Sequence, residues 1–199
     1  MSVHLTKSLA LAIALVPIAA FSQDHGHGSN TAPYAGFETR EIKSLSEQDI
    51  AELQRGGGWG LALPAELNGH PGPAHLLDLQ TELELSAEQV GTITETYKAM
   101  RIAAIAAGER LIAAEAAISN AFAQPGLSEE ALRSLLAEAG EARTELRFIH
   151  LSRHLSTPEL LSDAQIQKYN ILRGYADDPC TRVPEGHNRD LWRRHNGCD

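Results

Sequence analysis

The sequence predicts an all-α protein, a long antiparallel helical hairpin with shorter flanking helices. Three observations carry this. A Leu-Ser helix-start pattern occurs four times, at Leu45-Ser46, Leu85-Ser86, Leu127-Ser128 and Leu161-Ser162. Aromatic residues are only 5% while Ala, Leu and Glu abound, a composition that favours helices over strands. Two long apolar stripes at helical spacing face each other across a short Pro125-Gly126 connection.

In each of the four starts Ser takes the N-cap position, where its hydroxyl accepts a hydrogen bond from a first-turn N–H. Leu before the cap and Ile50, Val90, Leu132 or Ile166 after it form a hydrophobic staple. Gln89 and Gln165, at the third helical position of the second and fourth copies, complete capping boxes. The second start opens a helix over Ser86–Ala123, about 55 Å long at 1.5 Å per residue. Its stripe is Val90, Ile93, Tyr97, Met100, Ala104, Leu111, Ala114, Ile118 and Phe122. The third opens a helix over Ser128–Ser156 with Leu132, Leu135, Ala139, Ala142, Leu146 and Ile149 inward. A fourth helix, Ser162–Arg173, closes against the pair, and Ser46–Arg55 and Pro73–Glu84 read as shorter helices before it. Gly56-Gly57-Gly58 reads as a hinge from which Trp59 and Leu61 dock onto the hairpin.

Residues 1–22 read as a secretory signal peptide. Lys7 supplies the positive start, Leu9–Ala20 an apolar run of 12 residues, and Ala20-Phe21-Ser22 small residues flanking a cleavage site. Cleavage after Ala20 is the alternative. Residues 23–43 form a flexible lead-in containing His and Gly, residues 44–176 the helical domain, and residues 177–199 a Cys-containing tail. The expected location is the periplasm, with no membrane insertion after processing. A net charge of −9, from 17 Lys+Arg against 26 Asp+Glu, argues against nucleic acid as a partner.

Leu85-Ser86-Ala87-Glu88-Gln89 and Leu161-Ser162-Asp163-Ala164-Gln165 stand 76 residues apart, with the Ala/Leu-rich hairpin between them. This arrangement resembles the Spy/CpxP family of periplasmic stress proteins, marked by paired LTxxQ motifs, and its relatives the periplasmic heavy-metal sensors. The resemblance covers roughly residues 75 to 175. It implies a Spy/CpxP-like all-helical fold without enzymatic activity, commonly dimeric. It also implies unfolded or envelope proteins as clients, or a membrane stress sensor as partner. The sensor branch implies instead a bound transition metal.

His150 and His154, at i and i+4, share one helix face and can hold a divalent ion such as Zn, Cu or Ni. Arg143 and Arg147 on the same stripe favour the plainer reading, a solvated and partly basic helix edge. Cleavage after Ser22 would leave Gln23-Asp24-His25 at the amino terminus. There the amine, two amides and the His25 imidazole offer a planar site for Cu(II) or Ni(II), with His27 aiding capture. Cys180 and Cys198 read as a disulfide. The alternative, a zinc site that adds His187 and His195, has spacing that matches no zinc pattern. No nucleophile elbow, phosphate loop, dinucleotide fingerprint or zinc-protease motif occurs, so an enzyme is not expected.

Overall fold

The computed structural model describes residues 32–198. The signal-peptide segment lies outside them. The described residues contain seven α-helices and no strand: α1 Glu47–Gln54, α2 Leu63–Glu66, α3 Pro73–Asp78, α4 Ala87–Phe122, α5 Glu129–Ser156, α6 Asp163–Leu172 and α7 Arg189–His195. Single 3-10 turns at Phe37–Thr39 and Pro158–Leu160 complete the order. No described helix is long and apolar enough to cross a membrane.

All four predicted caps form, since Ser46, Ser86, Ser128 and Ser162 each accept from the backbone N–H three residues on. α4 and α5 pack side by side as the hairpin. Their central core joins Met100, Ala104, Ala107 and Leu111 to Ala142, Leu146 and Ile149. α1 and the segment before it lay Ile42, Leu45 and Leu53 on this core, and Leu61 follows with Trp59 at its edge. The compact unit begins at Gly36, so Ile42 and Lys43 belong to it; the Lys43 N–H donates to Ser119 Oγ on α4. A second core at the base of the hairpin gathers Leu76, Leu83, Ile93 and Tyr169.

α1 approaches α4 closely because two glycines permit it. Gly56 ends α1 with φ +71°, and a Cβ there would stand 2.8 Å from the Arg101 carbonyl oxygen. A Cβ on Gly108 of α4 would stand 2.7 Å from the carbonyl oxygen of Leu53. The predicted hinge is thus a helix cap seated on its neighbour.

The two capping-box glutamines meet. Gln89 Nε2 donates to Gln165 Oε1 at 3.0 Å, and Gln165 Nε2 returns the bond to Gln89 Oε1 at 3.2 Å. Each Oε1 also accepts from its own cap N–H, Ser86 or Ser162. Each Nε2 further reaches a backbone carbonyl, Leu160 for Gln89 and Leu83 for Gln165.

Three expectations change. The helix expected over Pro73–Glu84 ends at Asp78, and the chain turns through Gln80–Leu85 with Glu84 at φ 51°, which lets both Leu79 and Leu83 face the base core. Phe122, read as part of the buried stripe, is 65% exposed because the hairpin tip runs past the covering segment. His150 and His154, read as a solvated edge, are 4% and 6% exposed.

Candidate functional site

The burial of both histidines follows from the chain between α1 and α4. Gly56 to Gly60 turns it back over the hairpin, and Leu61 anchors it there. Pro71-Gly72-Pro73 then lies directly on α5. A Cβ on Gly72 would stand 2.5 Å from His154 Cε1, so the ring packs on bare backbone. Between this segment and the hairpin lies a cavity of about 360 Å³. Glu52, Glu66, His75, His150 and His154 reach it among the apolar walls of Trp59, Tyr97 and Met100.

Glu66, on the short helix α2, is the hub. Tyr169 Oη donates to its Oε2 at 2.6 Å, and His75 Nδ1 lies 2.8 Å from its Oε1. His154 Nδ1 stands 3.9 Å from the same oxygen while donating to the His70 carbonyl at 2.8 Å. Burial alone would raise the Glu66 carboxyl. The hydrogen bonds from His75 and Tyr169, with the charges of His75 and His154, outweigh burial and hold it below its ordinary value. Tyr169 is pushed upward by burial and then by the Glu66 carboxylate, so it remains a donor.

His150 differs from these. Its Nε2 is buried without a hydrogen-bond partner among the described residues. Burial, and then the neighbouring His154, push its pKa below the ordinary value, against the opposing pull of the Gly57 backbone and Glu52. A histidine with a depressed folded pKa stabilises the fold above its unfolded pKa, and that contribution disappears as pH falls through the folded value. We therefore expect stability to urea to decline as pH falls below about 6.5. His150→Asn should flatten that slope; an unchanged slope would show that His150 does not cause it.

The structure thus brings His150 and His154 to one cavity with His75 and Glu66, and of the two only His154 reaches Glu66 and the His70 carbonyl. Their donor atoms do not converge: among the described residues no group of three His, Cys, Asp or Glu side chains is arranged to hold a metal ion. His25 and His27 lie outside the described residues. Cys180 and Cys198 form a disulfide, which occupies the sulfurs that the alternative zinc site needed. Such a bond fits an oxidising compartment.

The roles of Glu66 and Tyr169 were missed in sequence. The one available signal was Pro71 and Pro73, whose turn sets the His70 carbonyl against His154 and brings His75 to the cavity. Chemically, the cavity offers imidazoles, carboxylates and a thioether that do not converge on one point, and no Ser, Thr, Cys or Lys is among its lining residues. Fold and site together define a class, an all-helical hairpin protein with a buried histidine–carboxylate cavity under a glycine-bounded cover. Comparison of the chain with protein-family models, with characterised proteins and with solved structures finds no match.

Proposed function

We propose that this chain is a non-enzymatic periplasmic helical binding protein of the Spy/CpxP type, an ATP-independent chaperone or envelope-stress adaptor. The observation that carries this is the outer surface of the hairpin. Ile102 on α4 and Phe148 and Leu155 on α5 stay exposed, and Phe122 joins them at the tip. Contiguous exposed apolar surface marks sites that contact other proteins, and Phe148 and Leu155, seven residues apart on α5, share one helix face. Each contact is weak, so a flexible, partly unfolded client binds through several at once, and the acidic surface keeps the complex in solution. The test is aggregation of an unfolded client at near-stoichiometric ratio without ATP. Suppression is expected, and Phe148→Glu with Leu155→Glu should remove it without lowering the melting temperature. No suppression by the unaltered chain would overturn the reading.

A second reading, a periplasmic heavy-metal sensor or resistance protein, is favoured by the unpartnered His150 Nε2 in a cavity shared with His154, His75 and Glu66. Calorimetric titration with Zn(II), Ni(II) and Cu(II) tests it. Binding that His150→Ala abolishes supports it, and no heat with any of the three excludes it.

A further inference from the structure

The cavity beneath the cover contains a polar atom with nothing to bond. His150 is buried, it lines the cavity, and its Nε2 has no hydrogen-bond partner among the described residues. A buried polar group in that position costs stability until something supplies the missing bond. The neutral ring with its proton on Nδ1 presents a lone pair at Nε2, so the missing group is an N–H or O–H donor.

The surroundings narrow the choice of donor. No Lys or Arg is among the lining residues, while Glu52 and Glu66 bring two carboxylates. Glu52 pairs with Arg55 and lies against the bare backbone of Gly57, where a Cβ would collide with its Oε1. Trp59, Tyr97 and Met100 supply apolar wall. Trp59 sits at φ 43° between two glycines, its indole N–H donates to Asp49 at 2.8 Å, and the Arg143 guanidinium lies 4.8 Å from its ring centroid. Left-handed backbone at a bulky residue persists only where its surroundings hold it, and such places gather at ligand sites. The volume, about 360 Å³, falls within the range of about 300–1,000 Å³ that small-molecule sites occupy. An anion would meet two carboxylates. A metal ion would need ligands that converge, and among the described residues none do.

We propose that this cavity binds a small organic amine in its ammonium form, one N–H on His150 Nε2, the charge toward Glu52 and Glu66, and the apolar part against Trp59 and Tyr97. Aromatic faces attract an organic cation as well as its hydrocarbon, so the two walls act together. A quaternary ammonium would keep that attraction but has no N–H for Nε2. Such a ligand is neither a client protein nor a metal ion. Phe148 and Leu155 are not among the lining residues, so the chaperone reading and this one can fail separately.

The experiment is calorimetric titration of the protein in EDTA with 2-phenylethylammonium, its N-trimethyl form, 2-phenylethanol and Nα-acetyl-lysine methylamide. The expected result is a Kd below about 1 mM for 2-phenylethylammonium, at least about tenfold tighter than for the trimethyl cation or the uncharged alcohol. In nitrogen-15 NMR the indole resonance of Trp59 should move and that of Trp192 should stay. Glu52→Gln and His150→Leu should each weaken binding by at least about tenfold. The first loses only a partly exposed ion pair and the second no hydrogen bond at Nε2, so both should melt close to the parent. If His150→Leu does not fold, Glu52→Gln decides. The proposal is overturned by no binding at about 10 mM, by a trimethyl cation or alcohol that binds as tightly, by a shift at Trp192 alone, or by variants that bind like the parent. Binding that appears only when Zn(II) replaces EDTA overturns it in favour of the metal reading. Tighter binding of the lysine amide supports the ammonium site and assigns it to a lysine side chain rather than a free amine.

Discussion

Glu66→Ala is expected to cost on the order of 3 kcal/mol of folding stability, read as a lower urea midpoint at neutral pH. The carboxylate is buried and takes hydrogen bonds from Tyr169 and His75, with His154 close by. Its removal strands the fully buried Tyr169 hydroxyl and leaves two imidazoles without their anion. Glu66→Gln, which keeps an acceptor for Tyr169, should lose less. Because the folded carboxyl is held below its ordinary value, its contribution is complete above the usual carboxylate range and is lost as pH falls through the folded value. The gap between parent and Glu66→Ala should therefore narrow in acid. A gap that stays constant from neutral pH into acid would refute the ionised hub.

Gly108→Ala should destabilise by about 1–3 kcal/mol, although Ala is the better helix former by about 1 kcal/mol. The new methyl would sit 2.7 Å from the Leu53 carbonyl oxygen, and backbone cannot swing aside as a side chain does. α1 must shift as a unit, breaking the 2.8 Å bond from Trp59 Nε1 to Asp49 and changing Trp59 fluorescence. Gly91 and Gly140 provide the control: they lie inside α4 and α5, and a Cβ at either meets nothing within 4 Å. Gly91→Ala and Gly140→Ala should each stabilise by roughly 0.5–1 kcal/mol. If all three substitutions shift the midpoint in the same direction, α1 does not seat on α4 through Gly108.

What was legible in the sequence was local. Helix starts are decided within about six residues by Ser caps and their staples, and all four predicted starts are present. The hairpin follows from two stripes and a short turn. The site was not legible, because its residues meet through distant segments. His150 and His154 share a stripe with two arginines and read as solvent-facing; a cover starting some 90 residues earlier buries them. Glu66 carried no motif, and its partner Tyr169 lies 103 residues away. Helix α7, which lies in the tail, also carries a local start signal, with Asn188 as its cap and Asp190 in its first turn.

The paired glutamines make two distant helix ends into one thermodynamic event. Each side chain spends its oxygen on its own helix cap and its amide protons on the other glutamine and on a carbonyl beside the opposite helix start. Fraying of α4 at Ser86 therefore strips partners from α6 at Ser162, and the reverse holds equally. Ordinary helix ends melt one at a time at little cost. Here the opening of one end removes hydrogen bonds from the other, so the two starts at the base of the hairpin are energetically coupled. A helix-start signal that is local in sequence thus becomes a tertiary contact between residues 76 apart.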